Sequence, residues 1–161
     1  MKKSGFRKKT YEEVLAIKLA KKVAPKVKIS PTKRVSKPKK QSVSQLKKKL
    51  WTIFSLYIRT RDKFTCFTCG RVGESSGIHA GHFVPKSVGE IDLYFDEDNV
   101  HAQCYNCNIN LGGNQYEYSK RLGLEKAEEL YKRKGIYTKW TTETYLEKIQ
   151  EYKSKYERLI Q

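Results

Sequence analysis

The sequence lacks any run of about 18 apolar residues, the length that a membrane-crossing helix needs. Its opening, Met1-Lys2-Lys3-Ser4-Gly5, is basic but has no apolar stretch of the kind a secretory signal carries. A cytoplasmic protein with no membrane partner is therefore expected. Cysteine is scarce, with four in all, and in a reducing compartment these favour metal ligation over disulfides. Histidine is scarcer still: three, all between residues 79 and 101. Acidic residues are depleted in one region only. Residues 1–49 hold 18 Lys/Arg against 2 Asp/Glu, whereas residues 50–161 hold 16 against 15. The 161 residues leave room for one compact domain plus extensions.

What is present begins with that polycationic start. Such an arm contacts phosphates, releases counterions and gives salt-sensitive, sequence-blind binding to nucleic acid; a solubilising or ribosome-like tail has the same composition. Lys39 and Lys40 are its candidate DNA contacts nearest the domain. Residues 10–23 have helical spacing (Tyr11, Val14, Leu15, Lys18, Leu19, Lys22). Residues 24–41, with Pro25, Pro31 and Pro38 among lysines and serines, read as a disordered linker. This gives a flexible basic arm at 1–41 and a folded domain at 42–161.

From Ser44 to about Asp62 an apolar face (Leu46, Leu50, Ile53, Phe54, Tyr57, Ile58) predicts a helix, with Ser44 as N-cap. Arg59 and Arg61 at its far end complement the helix dipole or contact phosphate. Residues 64–84 read as strand and turn, and 85–98 as a polar, acidic loop in which Lys86 is a further candidate DNA contact. Helix is expected after Cys107, with a break at Gly123, a further helix from about Leu124 to Lys134 closed by Gly135, and a last helix from Thr141 or Thr142 to the end. The stripe Tyr145, Ile149, Tyr152, Tyr156, Leu159 on that last helix predicts packing onto the domain; it is also a candidate homodimer interface.

Cys66-x-x-Cys69 and Cys104-x-x-Cys107 each place two thiolates within reach of one tetrahedral ion, and together they predict a closed structural zinc site. The 34 residues between Cys69 and Cys104 exceed the usual zinc-ribbon interval of about 15–20. Something substantial is inserted, and the insert carries all three histidines.

The order His82-Phe83-Val84-Pro85, then Asn99, then Cys104-x-x-Cys107-Asn108 resembles the HNH (ββα-metal) nucleases across residues 66–114. The resemblance implies an α+β fold, with a small zinc-stabilised core at 64–114 flanked by helices. It implies His82 as general base, Asn99 as the brace of the loop that orients it, and Asn108 as a ligand of a catalytic Mg²⁺ or Mn²⁺. A neutral imidazole can take a proton from attacking water, and a hard divalent ion can neutralise the phosphate. Many members carry an Asp or His ligand just before the base, where this chain has Gly81. His79 is the nearest substitute, as a ligand or as a structural imidazole. In a regular strand residues 79 and 82 point to opposite faces, so a bulge at Ala80-Gly81 is expected to bring them together. His101 is a further, weaker candidate ligand.

Finer features narrow the likeness. Tyr57-Ile58-Arg59-x-Arg61-Asp62, Ala80-Gly81-His82-Phe83, Asn99-Val100-His101-x-Gln103-Cys104, Gly113-Asn114 and Lys139-Trp140-Thr141 are similar to the NinG (Rap) recombination nucleases of lambda-like phages, from about residue 44 to the end. That likeness implies a branched-DNA endonuclease acting on Holliday junctions and D-loops, in the host bacterial cytoplasm. Leu111 departs from relatives that carry a lysine there. Gly81 and Leu111 favour an alternative, a non-catalytic zinc-dependent DNA-binding module on the same scaffold.

Overall fold

The computed structural model describes residues 41–74 and 76–161. The basic arm, the expected helix at 10–23, most of the linker, Lys39 and Lys40 lie outside the described residues.

Helix α1, Val43–Arg61, opens with a capping box: the Ser42 hydroxyl accepts from the Gln45 amide, and the Gln45 side chain accepts from the Ser42 amide. The cap is thus Ser42 and not Ser44, because only Ser42 has Gln45 three residues on. Leu46, Leu50, Phe54, Tyr57 and Ile58 are buried along the expected face. The chain then forms the first cysteine loop and enters strand β1, Ile78–His82, and returns through a short helix α2, Ile91–Tyr94, to strand β2, Val100–Cys104. Helix α2 falls in the segment expected to be loop; four residues are too few for a periodic signal.

β1 and β2 pair antiparallel in unbroken register, with His79 opposite Gln103, Gly81 opposite His101 and His82 opposite Val100. No bulge interrupts Ala80-Gly81, so that expectation is corrected. Alternation puts His79, Gly81, His101 and Gln103 on one face and Ala80, His82, Val100 and Ala102 on the other.

A five-residue π-helical turn, Asn106–Asn110, follows β2. Helices α3 (Gln115–Leu122) and α4 (Leu124–Lys132) come next, separated at Gly123, whose φ of +83° suits glycine. The last helix, α5 (Thr142–Leu159), is capped by the Thr141 hydroxyl.

α5 lies along α1, and Tyr145, Ile149 and Tyr152 share one core with Leu50, Phe54 and Phe95. Of the stripe, Tyr145, Ile149 and Tyr152 are buried inside the chain and Tyr156 packs against them, while Leu159 is exposed. A second core joins Phe83, Val84 and Leu93 to Tyr118 and Leu130. Among the described residues no helix is long and apolar enough to cross a membrane.

Candidate active site

The four cysteine sulfurs lie within 4.8 Å of one another. Cys69 Sγ and Cys104 Sγ are 3.8 Å apart, close to the edge of a tetrahedron whose metal–sulfur bonds are about 2.3 Å. The first loop is shaped for this: Gly70, at φ +74°, lets its amide turn back to the Cys66 carbonyl at 2.8 Å, and the Phe67 amide docks on the Ala102 carbonyl of β2. Burial opposes charge on the Cys66 thiol, but the Thr68 hydroxyl and the amides of Cys104 and Cys69 outweigh it and hold that thiol down at about 6. Burial and the neighbouring thiols push Cys69 up to about 12. Four crowded thiols share negative charge poorly without a cation, and this cluster could hold a metal ion such as zinc.

Cys107 is followed by Asn108 in the π-helical turn, so whatever fixes the cluster also fixes Asn108. The Asn108 amide group donates to His79 Nδ1 at 3.2 Å. His79 and Asn108 are therefore brought together, because the turn lies over the strand face that carries His79.

His82 sits on the opposite face, 7 % exposed. Its ring stacks on Trp51, with centroids 5.4 Å apart and planes 20° apart. Its Nε2 lies 3.0 Å from the Tyr94 carbonyl oxygen. That oxygen can only accept, so Nε2 carries the proton and Nδ1 keeps a free lone pair. Burial lowers the imidazole from 6.5 to about 4, against the Tyr94 carbonyl, which favours charge, and with Lys86, which opposes it. His82 is neutral at pH 7. It lines, with Asn108, Lys86 and Gly113, an open cleft of about 340 Å³.

Asn99 is fully buried and ties the segment between the strands shut. Its Oδ1 accepts from the Val84 amide at 2.7 Å, and its Nδ2 donates to the carbonyls of Leu93 at 2.8 Å and Val84 at 3.2 Å. Leu93 precedes Tyr94, so Asn99 braces the residue next to the one whose carbonyl sets the His82 tautomer.

Two of the candidate residues are placed elsewhere. Arg61 points inward: it donates to the carbonyls of Glu97 and Val100, both at 3.0 Å, and pairs with Asp62 at 2.7 Å. It clasps the end of α1 to the start of β2, in place of the expected phosphate contact. His101 packs on the Phe67 ring at 4.0 Å with its Nδ1 3.0 Å from the Tyr118 hydroxyl, and it lines neither of the two cavities that Asn108 lines. Arg59 and Lys86 line a neighbouring cavity of about 330 Å³ with His79 and Asn108. Lys86 also stands 5.0 Å above the Trp51 ring.

Among the described residues, two buried side-chain atoms lack a hydrogen-bond partner: His82 Nδ1 and Gln103 Oε1. An unpaired buried acceptor costs about 1–3 kcal/mol, so both call for an explanation in function. The sequence assigns no role to Trp51 or Tyr94, and carries Gln103 only as part of a motif. The one available signal was Gln103 itself, a polar residue between apolar strand positions beside a metal-ligand cysteine.

The fold and site thus define a mixed α and β chain, built on a two-stranded sheet, with a four-cysteine cluster fit for a metal ion. The family described as "Bacteriophage Lambda NinG protein" matches residues 1–161, and the chain belongs to that family. It is 31 % identical to Protein ninG of Escherichia phage 933W over 109 residues, 65 % of this chain and 51 % of that one. It is 35 % identical to Protein ninG of Salmonella phage P22 over 95 residues, and 33 % to that of Escherichia phage lambda over 92, each covering 54 % of this chain and 44 % of the relative. The chain spans about half the length of the curated relatives it matches. No solved structure matches it.

Proposed function

We propose that this protein is a metal-dependent endonuclease of the HNH type that hydrolyses phosphodiester bonds in DNA, at branched recombination intermediates such as Holliday junctions and D-loops. The observation that carries the reading is the state of His82: neutral, held by the Tyr94 carbonyl through Nε2, with an unpaired Nδ1, and lining the cleft that Asn108 also lines. That is the state a general base must have before it accepts a proton from water.

In this reading Nδ1 of His82 takes the proton of the attacking water. The Trp51 ring and the Tyr94 carbonyl keep the imidazole in place, and Asn99 keeps Tyr94 in place. A divalent ion such as Mg²⁺ or Mn²⁺, held at Asn108 and His79, would neutralise charge on the phosphate. The four cysteines, with zinc, hold the turn that presents Asn108.

Phosphate-binding groups are near. Lys86 borders the cleft and also a larger groove of about 510 Å³ that holds Lys47, Lys139, Tyr137 and Trp140. Lysines beside the exposed Tyr137 ring and the partly buried Trp140 suit a DNA strand, with contacts to backbone and to bases.

The absence of a side chain at Gly81 favours a second reading, a zinc-dependent DNA-binding module without catalysis. Incubating the protein with a synthetic four-way junction and a linear duplex separates the two. The nuclease reading expects nicking, faster on the junction, that needs Mg²⁺ or Mn²⁺ and stops with EDTA. Binding with no nicking in either metal supports the second reading and refutes the first.

A further inference from the structure

We infer that Gln103 is a ligand of the divalent cation, its side-chain oxygen supplying from β2 the donor that Gly81 of β1 does not carry. The inference rests on the cation of the proposed function and adds a residue to its site.

Gln103 has no exposed surface. Its amide orientation is fixed by acceptors: Nε2 donates to the Gly113 carbonyl at 2.8 Å and lies 3.4 Å from the Thr68 hydroxyl. Oε1 is thereby turned the other way, and it has no partner. It is aimed at Gly81. A Cβ added at Gly81 would collide with Oε1, and would stand 3.0 Å from Asn108 Oδ1. Two side-chain carbonyl oxygens from different elements therefore converge on the point where a side chain at residue 81 would begin.

The neighbours support the convergence. Asn108 gives its Nδ2 hydrogen to His79 Nδ1, which leaves Asn108 Oδ1 directed at the Gly81 gap. Nδ1 of His79 in this arrangement positions Asn108, and its other nitrogen, Nε2, is the one left to serve the cation. Carboxamide oxygens are hard donors suited to Mg²⁺, Mn²⁺ or Ca²⁺, with bonds of about 2.0–2.6 Å. Both oxygens are neutral, so the site binds the free ion weakly, and phosphate oxygens and water are the natural remaining ligands. The same geometry explains why residue 81 is glycine: the space belongs to the Gln103 side chain.

Titrating Mn²⁺ into the zinc-loaded full chain, followed by electron paramagnetic resonance of the free ion, tests this without any turnover. The native chain is expected to bind Mn²⁺ in the millimolar range or tighter. Asn108→Ala and Gln103→Leu should each weaken binding by about tenfold or more. Gln103→Glu should tighten it and make the melting temperature rise further with Mn²⁺ than in the native chain. Zinc content and circular dichroism check the fold of each variant; if Gln103→Leu does not fold, the direction of the Gln103→Glu change decides. Loss of binding in Asn108→Ala with native binding in both Gln103 variants overturns the Gln103 assignment and spares the cation: Oε1 would then be satisfied by an Asn108 amide turned over. A native chain that binds no Mn²⁺ overturns both.

Discussion

His82 Nε2 lies 3.0 Å from the carbonyl oxygen of Tyr94, and this one contact sets which nitrogen of the imidazole is free. The partner is backbone, so no substitution at residue 94 removes it; only a shift of the loop does. The tautomer of His82 is consequently tied to the conformation of residues 84–99.

Burial moves the His82 pKa from 6.5 to about 4. The acid limb of the nicking rate should therefore lie near pH 4, and a limb at 6.5 would show an exposed imidazole. Stability should follow the same group. Between pH 6.5 and 4 the unfolded chain binds a proton that the folded chain refuses, so stability present above 6.5 is lost as the pH falls toward 4. The loss for this group is about 3 kcal/mol. Urea midpoints measured at pH 7 and pH 4.5 should fall less for His82→Leu than for the native chain.

Asn99→Asp keeps the acceptor for the Val84 amide and removes both donors to the carbonyls of Leu93 and Val84. A carboxylate buried against two carbonyls should cost at least about 2 kcal/mol. Nicking should drop further than DNA binding, because the loop that holds His82 is released while Lys86 and the groove lysines remain. Equal losses in binding and nicking would contradict the bracing role.

Arg61→Ala should destabilise by roughly 3 kcal/mol in urea unfolding, since it leaves Asp62 and two carbonyls without their buried partner. The salt dependence of DNA binding should stay as in the native chain. A slope reduced by about one ion would return Arg61 to the phosphate contacts.

Purified protein should contain about one zinc per chain, and a strong chelator should lower its melting temperature by roughly 10 °C or more. Cys107→Ser should act in the same direction, and it should also lower Mn²⁺ binding, because Asn108 is carried on the turn that Cys107 anchors. Protein free of zinc and indifferent to chelators would remove the metal from the cysteine cluster.

The helices were legible because their signals are local: the apolar face of α1, the Gly123 break and the Thr141 cap are each contained in a few adjacent residues. The cysteine cluster was legible from spacing. The cleft was legible only in part. Which face His79 shares with Asn108 depends on strand register, which no local signal states; the bulge expected to bring His79 and His82 together is absent, and the two stay on opposite faces of the sheet. Arg61 reads in sequence like any cation at a helix end; its inward turn depends on Glu97 and Val100, more than 30 residues away. Trp51 and Tyr94 meet His82 only through folding, from elements before and after it.

The most direct measurement is single-turnover nicking of a four-way junction in Mg²⁺ or Mn²⁺ by the native chain and by His82→Ala, with junction binding measured alongside. The account predicts a rate about 10²–10⁴-fold lower for the variant, at unchanged affinity for the junction. Equal rates for the two proteins would contradict it.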